Sequence, residues 1–166
     1  MKKYLVIGNP IEHSLSPLIH NYWMEKYHIV DSIYEKRKVD EKDLKNIIKE
    51  VGEDKIVGVN VTVPFKKSII PFLDKLDFSA EETQSVNTVF KIDNKIIGYN
   101  TDSSGFGDTI REFYPWSNDS MMPLPLKGKC IFIIGAGGVT ASIISALRLE
   151  GADNIVLSNR TKEKAY

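Results

Sequence analysis

The chain of 166 residues contains a single cysteine, Cys130, so it can form no internal disulfide and offers no cysteine-based zinc site. Because Cys130 lies in an apolar stretch, we expect a small buried side chain there rather than a reactive thiol. Neither sign of charge is in excess, since 22 Lys and Arg residues balance 22 Asp and Glu residues. This balance argues against nucleic acid or an anionic membrane as a partner, and we expect small-molecule partners.

Long hydrophobic runs are also missing. The apolar stretch Tyr4-Leu5-Val6-Ile7 is too short for a signal peptide, and no later run reaches the length of a membrane span. We therefore expect a cytoplasmic protein without a membrane partner. The sequence leaves the oligomeric state open, with a homodimer as one option, and it indicates no metal site.

Apolar runs alternate with helical periodicities from the first residues onward, which predicts an α/β fold with a mostly parallel, open sheet. The first helix is predicted with Ser16 as its N-cap and Pro17 at its first position. Two helical stripes are predicted to face the core. They consist of Leu15, Leu18, Ile19, Tyr22 and Trp23 in the first helix, and of Leu44, Ile47, Ile48 and Val51 in the second.

Further strands are predicted at 33–39, 56–63, 85–92 and 95–99, and the last two are separated by Asp93-Asn94, which predicts a hairpin. We therefore expect one antiparallel pair in an otherwise parallel sheet. A helix predicted at 103–114 leads into a segment rich in Pro, Ser and Asn, a composition typical of the boundary between two domains. The predicted domains are a substrate domain (1–114), a linker (115–126) and the first part of a Rossmann-like dinucleotide-binding domain (127–166).

A buried-type strand at 131–134 runs directly into the glycine turn Gly135-Ala136-Gly137-Gly138-Val139. Glycines at a strand-to-helix turn let the backbone approach a pyrophosphate, and the following helix directs free N–H groups at it. Thr140 stands where the full fingerprint has a third glycine. After residue 127 the sequence supplies one strand, one helix and a second strand, so we expect an incomplete dinucleotide domain with uncovered apolar surface.

The next predicted strand, at 154–158, ends in Asn159-Arg160-Thr161. An NAD enzyme of this type usually carries an Asp or Glu at this point, which accepts from the ribose 2′-hydroxyl. Arg160 instead favours a 2′-phosphate, because a guanidinium can donate two parallel hydrogen bonds to phosphate oxygens. The sequence therefore predicts NADP as the cofactor.

Polar side chains crowd the ends of the predicted strands, where ligands bind in open α/β sheets. Each has a structural explanation as a cap, a turn residue or a solvated helix start, but as a set they suit a small polyhydroxylated ligand. The sequence shows no His-based dyad and no nucleophile elbow. These polar residues are Ser14, Ser16, Asn60, Thr62, Lys66, Asn87, Thr88, Asn100, Thr101 and Asp102.

Five segments, in order and at family spacing, resemble the signatures of shikimate dehydrogenases. They are Gly8-Asn9-Pro10-Ile11-Glu12-His13-Ser14-Leu15-Ser16-Pro17, Asn60-Val61-Thr62-Val63-Pro64-Phe65-Lys66, Val86-Asn87-Thr88, Asn100-Thr101-Asp102 and Gly135-Ala136-Gly137-Gly138. The resemblance covers essentially the whole chain from Tyr4 to Thr161. It implies an NADP-dependent oxidoreductase that interconverts 3-dehydroshikimate and shikimate in aromatic amino-acid biosynthesis.

The resemblance also implies roles for individual residues. Lys66 and Asp102 are implied as the catalytic pair, and Ser14 and Ser16 as ligands of the substrate carboxylate. The remaining substrate-binding residues are Asn60, Thr62, Asn87 and Thr101, with Thr62, Asn87 and Asp102 at the ring hydroxyls. The cofactor-binding residues are Gly135, Ala136, Gly137, Gly138, Val139, Asn159, Arg160, Thr161 and Lys164. A ketone reduced by hydride needs a proton at the developing alkoxide, and an ammonium such as that of Lys66 can supply it.

The sequence departs from the family pattern at a few positions. Val139 and Thr140 replace small residues after the glycines, and Lys164 replaces an arginine, which keeps the charge but loses the bidentate fork. The chain also looks truncated at Tyr166 relative to the family, which leaves the activity of this chain open. Two alternatives remain at this point, a quinate or quinate/shikimate dehydrogenase and a non-catalytic shikimate-binding module; Ser14 and Ser16 favour shikimate.

Overall fold

The structure is a computed structural model that describes residues 1–114 and 124–161. The chain divides into two compact units, Met1–Asn100 and Thr101–Tyr166. The sequence predicts the end of the first domain after Tyr114, whereas the helix before that residue groups with the second unit. Much of the predicted linker, from 115 to 123, lies outside the described residues, and the predicted division into functional domains stays a prediction.

The first unit is built on a six-stranded sheet with the order β2-β1-β3-β5-β6-β4. Its strands are β1 (Lys2–Gly8), β2 (Ser32–Lys38), β3 (Gly58–Val61), β4 (Lys75–Leu76), β5 (Thr88–Ile92) and β6 (Lys95–Tyr99). Its helices are α1 (Ser16–Lys26), α2 (Leu44–Gly52) and α3 (Phe78–Thr83), with 3-10 turns at Glu41–Asp43 and Ile70–Phe72. The predicted α/β class with a mostly parallel sheet is confirmed.

Strand β5 runs against both of its neighbours, β3 and β6, while the other pairs are parallel. The sheet therefore contains two antiparallel pairs, and the expectation of one was wrong. The predicted hairpin between β5 and β6 is confirmed. Asp93 and Asn94 both have positive φ, 48° and 60°, the conformation that a two-residue hairpin turn matching the strand twist requires. The short elements β4 and α3 were not predicted.

The main core lies between the sheet and α2. Leu5 and Ile7 of β1 point towards it, and the whole predicted stripe of α2 is buried, at Leu44, Ile47, Ile48 and Val51. Each such side chain stabilises the fold by about 1.5–3 kcal/mol relative to an exposed position. The sequence predicted this helix and its buried face correctly.

Helix α1 does not bury the stripe that the sequence predicts as core. Leu15, Leu18, Ile19, Tyr22 and Trp23 are between 43% and 70% exposed. The helix instead meets the sheet through a neighbouring face, where His20 stacks on Tyr34 and Asn21 bonds the backbone of Tyr34. A helical repeat shows that one face is apolar but not what lies against it. Among the described residues α1 therefore presents an exposed apolar stripe.

The start of α1 also differs from the prediction. The helix begins at Ser16 with Leu15 as its N-cap, no side chain caps it, and Pro17 lies in its first turn. Ser16 is thus a helical residue whose hydroxyl is not used as a cap. A one-residue difference at a helix end is ordinary, but here it leaves the Ser16 hydroxyl available for other contacts.

The second unit contains α4 (Asp102–Phe113), β7 (Cys130–Ile134), α5 (Thr140–Leu149) and β8 (Asn154–Ser158), with β7 and β8 parallel in register. Its core joins Ile110, Leu126, Leu147 and Ala152. The buried carboxylate of Glu150, at the end of α5, pairs with Arg111 of α4. This ion pair ties α4 to α5, because the buried carboxylate of Glu150 cannot be left unpaired without a large cost, whereas Arg111 is partly exposed.

The two strands of this unit are covered on one face only. Ile131 and Ile133 pack against the second core, whereas Phe132 and Ile134 are 60% and 83% exposed. Cys130 lies on the exposed face, so the expectation that it is buried was wrong. The side chains of a strand alternate between faces, and within the described residues the second core covers one face of these strands. No helix in the described ranges is long and apolar enough to cross a membrane.

Candidate functional site

A cavity of about 290 Å³ opens where β1 and β3 end. It is lined by Val6, Pro10, Ile11, His13, Ser14, Ser16 and Thr62. Parallel strands end at the same edge of a sheet, which is why the loop after β1 and the residue after β3 meet here. Three of the predicted substrate-binding residues, Ser14, Ser16 and Thr62, are therefore brought into one cavity by the fold.

The close approach of the two strand ends depends on a glycine. The Thr62 N–H donates to the Ile7 carbonyl at 3.0 Å, and the Asn9 N–H donates to the Val63 carbonyl at 3.1 Å. A Cβ at Gly8 would lie 2.6 Å from Thr62 Cγ2 and 3.0 Å from the Val63 carbonyl oxygen. Gly8 thus allows Thr62 to lie beside the loop that carries the serines.

The two serines are linked to one another. Ser14 Oγ donates to Ser16 Oγ at 3.3 Å, and it also accepts from the Ser16 N–H at 3.4 Å. Both side chains are half-buried. Two neighbouring hydroxyls, each able to donate, suit an anion that accepts hydrogen bonds, such as a carboxylate.

A second polar group lies on β3 and β5. Asn60 and Thr88 are direct cross-strand partners, and Asn60 Nδ2 donates to Thr88 Oγ1 at 3.0 Å and to the Asn87 carbonyl at 3.2 Å. Thr88 Oγ1 in turn donates to Asn87 Oδ1 at 2.9 Å. The predicted substrate-binding residues Asn60 and Asn87 therefore belong to one hydrogen-bonded cluster.

Lys66 lies in the turn that follows β3, and its side chain is half-buried. The Val86 N–H donates to the Lys66 carbonyl at 2.8 Å, which fixes this turn to the residue before Asn87. The neighbouring Lys67 is exposed. The fold thus holds the backbone of Lys66 beside the segment that carries Asn87, while its catalytic role stays a prediction.

The two residues at the beginning of α4, Thr101 and Asp102, belong to the second unit. Asp102 is half-buried in the first turn of this helix, where the dipole favours a carboxylate. Asn100, which precedes them in the first unit, is 3% exposed and donates through Nδ2 to Thr83 Oγ1 and to the Ser85 carbonyl. The side chain of Asn100 therefore serves the fold, and the assignments of Thr101 and Asp102 stay predictions.

Burial governs the ionisation of Tyr34, a buried residue of β2. It raises the pKa of Tyr34 to about 12, and a hydrogen bond from Ser16 acts in the opposite direction. Burial likewise lowers the pKa of His20, which stacks on Tyr34 with ring centroids 4.1 Å apart. At neutral pH both rings are therefore uncharged.

In the second unit the glycine turn connects β7 to α5. Gly135 has a φ of +106°, which a side chain would strain, and its N–H donates to the Ser158 carbonyl at 2.7 Å. Ala136 N–H donates to Asn159 Oδ1 at 3.1 Å. Thr140, at the position of the missing third glycine, donates through Oγ1 to the Gly135 carbonyl at 3.2 Å. The larger residue is thus used to close the turn.

This turn fits a dinucleotide pyrophosphate. The positions where Gly137 and Gly138 would carry a Cβ have no heavy atom within 4 Å, so the space above the turn is open. Val139 is the N-cap of α5, whose first N–H groups can donate to phosphate oxygens. Arg160 and Thr161 follow β8 as exposed residues. Lys164, the last predicted cofactor residue, lies outside the described residues.

Two residues of these clusters, His13 and Tyr34, were not among the predicted site residues. His13 lies within a motif segment, so the sequence offered a signal for it. Tyr34 lies in β2 between Ile33 and Glu35, and nothing in its spacing indicates a role. Within the described part of the chain, no group of three His, Cys, Asp or Glu side chains is placed to hold a metal ion.

Comparison with known proteins adds an independent observation. Residues 6–89 match the family described as shikimate dehydrogenase substrate binding domain. A shikimate dehydrogenase (NADP(+)) from Pelagibacter ubique is 50% identical over 164 residues, which are 99% of this chain and 58% of that protein. The chain thus spans little more than half the length of this relative.

Solved structures show the same likeness. A crystal structure of shikimate dehydrogenase from Aquifex aeolicus has a TM-score of 0.86 and 39% identity, and the match covers 99% of this chain and 58% of that one. Shikimate 5-dehydrogenase from Thermus thermophilus, solved in complex with NADP(H) and shikimate, has a TM-score of 0.82 and 32% identity. This match also covers 99% of this chain and 58% of that one. Both the cavity and the glycine turn lie within the matched range.

Proposed function

The chain belongs to the shikimate dehydrogenase family, and we propose from this that its first unit binds shikimate or 3-dehydroshikimate. The whole protein then interconverts the two with NADP in aromatic amino-acid biosynthesis, working in the cytoplasm. The observation that carries the proposal is the cavity at the end of β1 and β3. It gathers the Ser14, Ser16 and Thr62 side chains inside the segment that matches the family's substrate-binding domain.

In this proposal the serine hydroxyls receive the substrate carboxylate. A carboxylate accepts hydrogen bonds only, and those to an ionised group are about twice as strong as neutral ones. Thr62, Asn60, Asn87 and Thr101 then bind the ring hydroxyls. Because a hydroxyl both donates and accepts, amide and hydroxyl side chains suit it better than charged groups do.

Lys66 acts at the reacting carbonyl. When the ketone is reduced, negative charge develops on its oxygen, and the Lys66 ammonium both stabilises this charge and donates the proton. In the reverse direction the neutral amine accepts the proton from the hydroxyl. Asp102 accepts from a substrate hydroxyl and orients the reacting carbon.

When bound, the cofactor would supply the hydride in its reduced form, NADPH, and would accept it in its oxidised form, NADP⁺, in the reverse direction. Gly135, Ala136, Gly137, Gly138 and Val139 fit its pyrophosphate, and Arg160, Thr161, Asn159 and Lys164 are assigned to the adenosine phosphate side. The open space above Gly137 and Gly138 supports this assignment.

The catalytic part is tested by Lys66→Ala in a chimaera in which this chain replaces the matched part of the Pelagibacter ubique relative. We expect kcat to fall about 10²–10⁴-fold, because the proton donor is removed, while the Kd for shikimate changes little. Lys67→Ala removes the adjacent, exposed ammonium and should retain activity. A Lys66→Ala chimaera that keeps most of its kcat would refute the role of Lys66.

The substrate part is tested on the chain itself by isothermal titration calorimetry with shikimate. Replacing both Ser14 and Ser16 by Ala should raise Kd at least tenfold, since hydrogen bonds to a charged group contribute about 1.5–3 kcal/mol each. Ser16 makes no cap bond in α1, so we expect little loss of melting temperature. Ser32→Ala, on β2, is the control; equal affinities in the three proteins would contradict the assignment.

A further inference from the structure

Tyr34 is held from three directions by the first helix and the sheet. Its ring is 4% exposed and lies parallel to the ring of His20, with the centroids 4.1 Å apart. Its backbone N–H donates to Asn21 Oδ1 and its carbonyl accepts from Asn21 Nδ2, both at 2.9 Å. Consecutive residues of α1 thus fix both the ring and the backbone of Tyr34, which makes its hydroxyl a rigid point.

That hydroxyl donates to Asn60 Oδ1 at 2.6 Å. The direction follows from the far side of the amide, where Asn60 Nδ2 faces the Asn87 carbonyl, which can only accept. The amide oxygen must then face Tyr34, and the phenol must be the donor. The Asn87 carbonyl thus sets which way the Asn60 amide points, and the Tyr34 hydroxyl holds the amide oxygen in place from the other side.

The other side of the same hydroxyl interacts with Ser16, whose hydrogen bond counters the rise in the Tyr34 pKa that burial causes. Ser14 donates to Ser16 in turn. One phenol thus lies between the serine pair and the Asn60–Thr88–Asn87 cluster.

We propose that Tyr34 is a positioning residue for substrate recognition, which holds Asn60 in place for the hydroxyls of a cyclic hydroxy acid. The inference rests on the proposed function, since it concerns the same site. Tyr34 acts through Asn60 and need not contact the ligand. Its hydroxyl holds the amide oxygen of Asn60 while the Asn87 carbonyl and Thr88 hold the amide nitrogen, so the Asn60 side chain is held in place before the ligand arrives.

The test substitution is Tyr34→Phe, which keeps the ring and its stacking on His20 and removes one oxygen. The Asn60 amide oxygen loses its donor and is held less firmly, so the Kd of the chain for shikimate should rise about tenfold, as expected for one lost buried hydrogen bond. Tyr4→Phe is the matched control, since Tyr4 is the direct partner of Tyr34 on β1. We expect Tyr4→Phe to change Kd less than twofold.

A double-mutant cycle and NMR distinguish this positioning role from a role of Tyr34 in stability alone. In an Asn60→Ala background, Tyr34→Phe should add less than twofold to Kd, because the two residues act as a unit; fully multiplying effects would overturn the inference. In the ligand-free chain, Tyr34→Phe should shift the Asn60 side-chain amide signals more than Tyr4→Phe does. Unchanged Asn60 signals would also overturn it.

The proposed function can fail separately. If the wild-type chain bound no shikimate while the Asn60 signals moved as expected, the substrate assignment would be wrong and the link from Tyr34 to Asn60 would stand. If the wild-type chain bound shikimate and Tyr34→Phe bound it equally well, the substrate assignment would stand and the positioning role would be refuted.

Discussion

The side-chain oxygen of Asn159 accepts a hydrogen bond from the backbone N–H of Ala136 at 3.1 Å. Asn159 Nδ2 also donates to the Thr161 carbonyl at 2.6 Å. One amide thus joins the glycine turn after β7 to the residues that follow β8. The two segments predicted to bind opposite ends of the adenosine diphosphate are held together by this side chain.

We therefore predict that Asn159→Ala loosens the glycine turn. Hydrogen exchange of the Ala136 amide should become faster, and the Kd for NADPH should rise several-fold, because a buried hydrogen bond contributes about 0.5–1.5 kcal/mol. Exchange followed by NMR and a fluorescence titration would measure both. Asn154→Ala, at the exposed start of the same strand, should leave both quantities unchanged. Equal exchange at Ala136 in all three proteins would show that Asn159 does not hold the turn.

Cofactor choice is predicted to depend on Arg160. In the chimaera, Arg160→Asp should reduce kcat/KM with NADP far more than with NAD and narrow or reverse the preference, because a carboxylate repels the 2′-phosphate. Lys127→Asp makes the same charge change at an exposed position of the same unit and should leave the ratio unchanged. An equal decrease in kcat/KM with both cofactors would mean that Arg160 does not bind the 2′-phosphate.

Gly8→Ala should disturb the candidate site through packing alone. The new methyl would meet Thr62 and the Val63 carbonyl, and such overpacking costs about 1–3 kcal/mol of unfolding free energy. Urea unfolding should show this loss, and calorimetry should show weaker shikimate binding as Thr62 moves. The control is Gly105→Ala, where no atom lies within 4 Å in a helix interior; it should stabilise by about 0.5–1 kcal/mol. If Gly8→Ala left the unfolding free energy unchanged, the ends of β1 and β3 would not need a glycine at position 8 to approach one another.

The raised pKa of Tyr34 predicts a pH dependence. In the folded chain the phenol has a pKa of about 12, whereas the pKa of an unfolded tyrosine is about 10. The resulting stability is fully present below the unfolded value and is lost as pH rises towards the folded value. Urea unfolding between these pH values should show a smaller decrease for Tyr34→Phe than for the wild type. Tyr22→Phe removes an exposed hydroxyl and should follow the wild-type curve. If Tyr34→Phe also followed the wild-type curve, the folded chain would not raise the pKa of the Tyr34 phenol.

Two helices show how far a hydrophobic repeat can be interpreted. The stripe of α2 predicted a buried face, and Leu44 and Val51 are fully buried. The stripe of α1 has the same repeat, but Leu18 is 70% exposed. The repeat reports the amphipathic character of a helix, whereas its orientation depends on contacts with other segments. In α1 the aromatic stack and the amide bonds to Tyr34 determine that orientation.

The strand at Cys130 illustrates the same limit. An apolar run predicts a strand, and β7 is present, but a run apolar on both faces predicts burial on both. The described residues cover one face only, so Cys130 and Phe132 are exposed. Local sequence describes what a segment can bury, and the other segments present decide what it does bury.

The sequence by itself determined the α/β class, the hairpin at Asp93-Asn94, the glycine turn and most of the candidate site residues. These features depend on local conformational preferences or on motifs whose chemistry is carried by neighbouring residues. Only the tertiary structure revealed that β5 is antiparallel to β3 as well as to β6 and that Tyr34 bonds to Asn60. The pairing of β3 with β5 and the bond from Tyr34 to Asn60 join residues that are 26 to 32 positions apart, and no local preference specifies which distant segments the folded sheet places side by side.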